Sequence, residues 1–303
     1  MKTLLLLILV AGQLQASPLS IVPERTVTPF IDIFSPSNRP VDADKMEVRS
    51  SPYSKNGSIT KGRDKYVMPL EHYRRAFKQS SAVFRMTPAE NSQNSEGVIY
   101  MGTAFHIGEN LVLTNQHVLS PDRSNKSECA GFQLLSNSNS LTFPCKKVHY
   151  CNVEQDVCLI EMGPTKRCLN LLCTKNEVVE MKQGESLKLK ANPEMNYETM
   201  DSAVMTCIGN TMGLGIHYSQ GRGIRINGDR AYFFAPLRTG NSGGPLIGED
   251  GLAWGVVKLE SQQKVGSEAY NIAVTMDKVI SLMREQLGAD KVTLQKFNSA
   301  VIE

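Results

Sequence analysis

The chain has 303 residues, of which 41% are hydrophobic and 21% charged, and its formal net charge is +3. That composition suits one sizeable globular unit, or two small barrels sharing a cleft. So small a charge gives no drive toward nucleic acid or an anionic membrane, and basic runs such as Tyr73-Arg74-Arg75 read as solvated surface.

At the start, Met1-Lys2 precedes an apolar run from Leu4 to Val10, followed by Gly12, Gln13, Gln15 and Ala16. One basic residue, a short apolar core and a small residue at the cut describe a secretory signal peptide over residues 1–16, cleaved near Ala16. The run is far shorter than the roughly 20 apolar residues a bilayer span needs. A lipid anchor would want a cysteine just after the cut, but the first is Cys129. The expectation is a secreted or periplasmic protein with no stable membrane insertion. Residues 17–80 then space Pro18, Pro23, Pro29, Pro36, Pro40 and Pro52 among Ser, Asn, Asp and Lys. Such a stretch buries little apolar surface and reads as an N-terminal extension or propeptide. Near its end Val67, Leu70, Tyr73 and Phe77 share one helical face after Pro69, which predicts a short helix.

From residue 81 to 180 short apolar strands alternate with polar turns: 82–86, 99–107, 111–114, 132–135, 147–150 and 157–162. That spacing predicts a closed antiparallel barrel, without alternating helices. A second set follows within 181–288, at 186–190, 202–208, 223–226, 231–236, 245–247, 253–259 and 270–274. Val279, Ile280, Met283 and Leu287 then lie on one face of a predicted helix over 276–287, and Gly288 is a good stop. Residues 289–303 are left as a C-terminal tail.

Chemistry concentrates in Thr239-Gly240-Asn241-Ser242-Gly243-Gly244-Pro245. Serine is a weak nucleophile, so using one requires a tight turn that exposes the hydroxyl and aims backbone N–H groups at the reacting oxygen. The flanking glycines permit such a turn and leave no side chain to block a peptide. The nucleophile needs a base and the base an orienting acid. Thr114-Asn115-Gln116-His117-Val118 follows the run Leu111-Val112-Leu113, placing His117 where a strand gives way to a turn. Asp156 stands at the mouth of Val157-Cys158-Leu159-Ile160, while Asp122 and Asp201 are rivals for the acid.

The order His, Asp, Ser, with Gly102-Thr103-Ala104-Phe105, Ile208-Gly209-Asn210 and the run from Gly240 to Leu246, resembles the chymotrypsin-like (trypsin-like) serine peptidases. Within them it is most similar to the bacterial branch of HtrA proteases and glutamyl endopeptidases. The resemblance covers roughly residues 80 to 288. It implies an all-β fold of two six-stranded antiparallel barrels with a C-terminal helix, His117 and Asp156 coming from the first barrel and Ser242 from the second. It further implies a serine endopeptidase acting on protein or peptide substrates through an acyl-enzyme. The oxyanion would be held by the N–H groups of Gly240 and Ser242. Substrate would be bound near Pro236 and along Lys258, Leu259 and Glu260. Neither a metal nor an organic cofactor is required. A latent or non-catalytic binding protein on the same scaffold is the alternative.

Departures from the family pattern shape the remaining expectations. Asn241 stands where animal digestive proteases carry an aspartate that pairs with a newly cut N-terminus. Pro236 offers no negative charge for a Lys or Arg side chain, and the histidine that glutamyl endopeptidases place near Val257 is missing. Only about 15 residues follow Gly288, so no HtrA-style PDZ domain is expected. Of the seven cysteines, Cys129, Cys145, Cys151, Cys168 and Cys173 are disulfide candidates for an exported chain, whereas Cys158 and Cys207 read as reduced and buried. His72, His106, His149 and His217 read as structural or surface residues.

Overall fold

The computed structural model of the chain describes residues 31–32, 47–49, 65–67, 75, 78–88, 102–119, 132–136, 141–169, 174–191, 204–213, 215–265 and 268–303. The expected signal peptide and most of 17–80 lie outside these residues, including Leu70, Tyr73 and Phe77 of the expected helix, whose first residue, Val67, instead ends a strand. What is described of that region includes strand β1 (Ile31–Asp32) and the strands β2 (Glu47–Arg49) and β3 (Lys65–Val67), which pair antiparallel with each other.

Six strands then form a closed barrel: β4 (Val83–Pro88), β5 (Gly102–Gly108), β6 (Leu111–Thr114), β7 (Phe132–Ser136), β8 (Thr142–Asn152) and β9 (Val157–Met162), paired in the order β4-β5-β6-β9-β8-β7. Alternation explains why β6 and β9 read as continuous apolar runs. Val112, Cys158 and Ile160 point into the barrel beside Phe84, Met86, Leu134 and Phe143. Their neighbours Leu111, Leu113, Val157 and Leu159 point outward, but into a second core shared with Ile208, Ile247, Val256 and Val274. Successive side chains on a strand face opposite ways, so a strand buried on both sides has no polar positions to alternate.

A short hairpin of β10 (Thr165–Cys168) and β11 (Asn176–Val179) leads on to β12 (Leu189–Lys190). The remaining strands are β13 (Val204–Asn210), β14 (Ile216–Asn227), β15 (Arg230–Phe234), β16 (Pro245–Ile247), β17 (Ala253–Val265), β18 (Glu268–Thr275) and β19 (Val301–Ile302). With β1 and β12 they make a nine-stranded sheet, in which β16 pairs with both β13 and β17. Met205, Cys207, Phe233, Leu246, Val257 and Ala273 form its own apolar cluster. β14 and β17 are both longer than the sequence pattern predicts: β14 begins earlier, at Ile216, where it pairs with β13 and buries Ile216 and Tyr218, and β17 runs on past Glu260 as a two-stranded ribbon with β18.

The helix Met276–Gln286 buries Met276, Val279, Ile280 and Met283 against the shared core, on the face its periodicity predicts. The segment expected as a tail is ordered as well. Asp290 caps a helix, Lys291–Asn298, by accepting from the Thr293 N–H at 3.0 Å, and Phe297 is wholly buried. β19 then pairs with β12 in parallel. One aromatic in an eight-residue helix is too weak a period to be read from sequence. Among the described residues no helix is long and apolar enough to cross a membrane.

Candidate active site

Asp156 precedes β9 in a left-handed backbone conformation, φ 58°, one that Asp tolerates better than most residues. The turn before it is tied by the Gln155 N–H, which donates to Asn152 Oδ1 at 2.7 Å. The outcome is a carboxylate turned back toward the end of β6. Asp156 Oδ1 accepts from the His117 N–H at 2.9 Å, and Oδ2 lies 2.7 Å from His117 Nδ1. An ionised carboxylate only accepts, so in this contact Nδ1 is the donor and the other ring nitrogen, Nε2, points away from the carboxylate. The Asp156 side chain is 7% exposed, against 31% for His117. Asn115 fastens the same corner, donating from Nδ2 to the Asp156 carbonyl at 2.7 Å. The rival acids Asp122 and Asp201 lie outside the described residues.

Ser242 is 6% exposed and occupies the turn before β16. Its neighbours Gly240 and Gly243 have φ of 97° and 84°. Both glycines are also required by contact. A Cβ on Gly240 would stand 2.0 Å from the Asn210 carbonyl oxygen, and one on Gly243 would stand 2.1 Å from the Thr103 carbonyl oxygen and 3.0 Å from Asn115 N. The Ser242 turn therefore abuts the residues that lead into His117. Thr103 of β5 ties it further by donating its N–H to the Ser242 carbonyl at 2.8 Å. Within the turn, Asn241 N–H donates to the Arg238 carbonyl and Gly243 N–H to the Val257 carbonyl, so these two amides are used structurally. Among the described residues no protein group accepts from the N–H of Gly240 or Ser242.

Of the residues expected to bind substrate, Lys258, Leu259 and Glu260 are in the nine-stranded sheet and Pro236 lies just beyond β15. Pro236 is half-buried six residues before Ser242. Lys258, Leu259 and Glu260 continue β17 past Val257, where the pairing of the Ser242 turn ends with Val257 N–H donating to the Gly244 carbonyl. Lys258 pairs with Ile272 of β18 on the other edge.

The other histidines have structural surroundings. His106 is 1% exposed with Nδ1 2.6 Å from the Glu185 carbonyl, and burial lowers its pKa. Burial likewise lowers that of His149, whose Nε2 is 3.1 Å from Glu161 Oε2. His217 Nδ1 lies 3.0 Å from the Gly215 carbonyl, and His72 is outside the described residues.

One cysteine assignment is overturned. Cys158 is buried, but it is not reduced: it forms a disulfide with Cys151, which stands directly opposite on β8. Sequence separation hides a cross-strand register, and the register is what brings the two sulfurs together. Cys145 is also disulfide-bonded, and Cys207 is free and buried, as expected. Cys129 and Cys173 lie outside the described residues. Thr103 and Asn115 were visible only as parts of motifs; nothing in the sequence says what their side chains hold.

Residues 102–256, just over half of the chain, match the family model described as trypsin-like peptidase domain. No curated protein matches the chain in sequence. Among solved structures, the chain is similar to one described as the serine endoprotease from Yersinia pestis, with a TM-score of 0.53 and 16% identity, covering 73% of this chain and 68% of that one. At that identity the likeness speaks for the fold. The family match spans β5, His117, Asp156 and the Ser242 turn together, and the chain accordingly belongs to the trypsin-like peptidase family and is a serine endopeptidase.

Proposed function

We propose that the protein is an exported endopeptidase whose nucleophile is Ser242, with His117 as base and Asp156 as the orienting acid. The reading rests on the two-point hold of one buried carboxylate on His117, at 2.9 and 2.7 Å, beside a glycine-flanked serine turn that touches the same corner. Ser242 Oγ attacks the peptide carbonyl while His117 Nε2 takes its proton. The tetrahedral oxyanion is held by the N–H groups of Gly240 and Ser242, each such donor contributing on the order of a hundredfold in rate. Collapse expels the amine, which receives that proton from His117, and water then releases the acyl group by the same path.

The nine-stranded sheet serves as the second barrel in this reading, its ladder returning on itself through β16. An extended substrate continues the pairing of β17 along Lys258, Leu259 and Glu260, with Pro236 in the wall beside the residue on the acyl side of the cut. Substrates are proteins or peptides, and export is inferred from the N-terminal sequence together with the disulfides.

The test is labelling of the purified chain by a fluorophosphonate, mapped by peptide mass, together with hydrolysis of a fluorogenic peptide library. Labelling at Ser242 that disappears in Ser242→Ala and His117→Ala is the expected result. A wild-type chain that neither labels nor cleaves would instead favour a binding protein on a peptidase scaffold.

A further inference from the structure

Gly240 can rotate its two flanking peptides more freely than any other residue, and one of those peptides carries an N–H of the proposed oxyanion hole. Both are pinned from outside the turn. On the N-terminal side, the Thr239 carbonyl accepts from the Met212 N–H at 2.7 Å, which turns the Gly240 N–H of that trans peptide the opposite way. Met212 is itself held left-handed, with φ 54° and ψ 21°. On the C-terminal side, the Gly240 carbonyl accepts from Thr103 Oγ1 at 2.6 Å, and the same hydroxyl accepts from the Asn210 N–H at 2.8 Å. Thr103 is fully buried, and its own carbonyl accepts from Thr114 Oγ1 at 2.8 Å.

No charge takes part. Asn241, 3% exposed, accepts from Thr211 Oγ1 at 3.2 Å and donates from Nδ2 to the Arg238 carbonyl at 2.9 Å. The residue preceding the nucleophile is thus satisfied by a hydroxyl and a carbonyl instead of an ammonium partner. A buried hydroxyl that both donates and accepts fixes two backbone segments at once, and its loss leaves a carbonyl and an N–H unpaired.

We propose that Thr103, through its hydroxyl, is the positioning residue that keeps the oxyanion hole formed, by locking the Gly240 peptide to the first barrel and to β13. This rests on Ser242 being the nucleophile. Valine copies the shape of threonine and removes the hydroxyl; serine keeps the hydroxyl and removes the methyl.

The experiment compares rates of fluorophosphonate labelling at Ser242 in the full chain for wild type, Thr103→Val, Thr103→Ser and Ser242→Ala. Thr103→Val is expected to label about 10- to 100-fold more slowly, with Thr103→Ser restored to within about threefold of wild type. Should the valine variant fail to fold, Thr103→Cys, close to serine in size and a weak donor, is set against Thr103→Ser with the same slowing expected. Wild-type rates in the valine or cysteine variant, while Ser242→Ala is not labelled, would overturn the role of Thr103 and leave the nucleophile in place. Equal slowing of the hydroxyl-bearing and hydroxyl-free variants would also overturn it, since packing and not the hydroxyl would then be responsible. Label on another residue, or none in wild type, overturns the nucleophile assignment and this proposal with it.

Discussion

The two halves of the proposed machinery are held in different ways. His117 and Asp156 belong to one barrel, and their geometry comes from neighbouring strand ends: β6 and β9 pair at Thr114 and Cys158, and the residues that follow and precede them meet. The nucleophile turn is rooted in the nine-stranded sheet, yet its carbonyls at Gly240 and Ser242 are held by Thr103 of the first barrel. The base–acid pair should therefore be robust to changes between the sheets, while the nucleophile turn should register any movement of one sheet against the other.

The sharpest way to probe the first half is Asp156→Asn. An amide can donate to Nδ1 and stabilise the wrong ring tautomer, so kcat should fall by about 10⁴-fold with the fold intact. Steady-state hydrolysis beside a circular dichroism spectrum checks this, and a loss below about tenfold would remove Asp156 from the proposed machinery.

Gly243→Ala attacks the seam between the halves. Its Cβ would meet a backbone oxygen of the closed barrel at 2.1 Å, with φ at 84°, and neither side can yield cheaply. Destabilisation of about 3 kcal/mol is expected in denaturant unfolding, along with loss of labelling at Ser242. An unchanged unfolding midpoint would mean that the seam is softer than its contacts imply.

Opening the Cys151–Cys158 link tests how local the first half is. The two cysteines are seven residues apart and enclose the loop that carries Asp156, so replacing both should cost about 2.5 kcal/mol by loop entropy. If the strands alone position Asp156, kcat stays within a fewfold of wild type; a collapse of kcat at unchanged KM would assign the disulfide to the site.

The smallest effect expected is from acid. His106 donates Nδ1–H to the Glu185 carbonyl, and its buried Nε2 has no partner, so protonation would add an unpaired buried N–H and a charge. Its pKa is lowered in the folded state, so the folded protein binds fewer protons than the unfolded chain. Stability is then full above the ordinary histidine pKa of about 6.5 and declines as pH falls below it. His149, also lowered by burial, adds in the same direction, although Glu161 and Asp290 beside it soften the effect. Melting midpoints measured from about pH 7.5 to 5 should drop, and His106→Phe should flatten part of the drop.

Much of this was legible in the chain itself. Short apolar runs between polar turns marked all six strands of the closed barrel, because burial leaves an apolar stretch in every core strand. The Ser242 and His117 motifs stood out because glycines at a turn and polar residues at a strand end are chemically costly unless used. The far end of β17 left no such mark, since a strand of consecutive polar residues resembles a loop. The helix Lys291–Asn298 was missed for the same reason, having a single large buried anchor.

Sequence alone determined the strand pattern of the closed barrel and the glycine-flanked turn at Ser242, since each is written in local spacing and side-chain chemistry. Tertiary structure alone decided that Cys158 faces Cys151, that Asp156 reaches both His117 N and Nδ1, and that a threonine 137 residues away holds Gly240. Those depend on register and on the docking of one sheet against another. A hydrogen bond demands placement within a few tenths of an ångström, which no local pattern specifies.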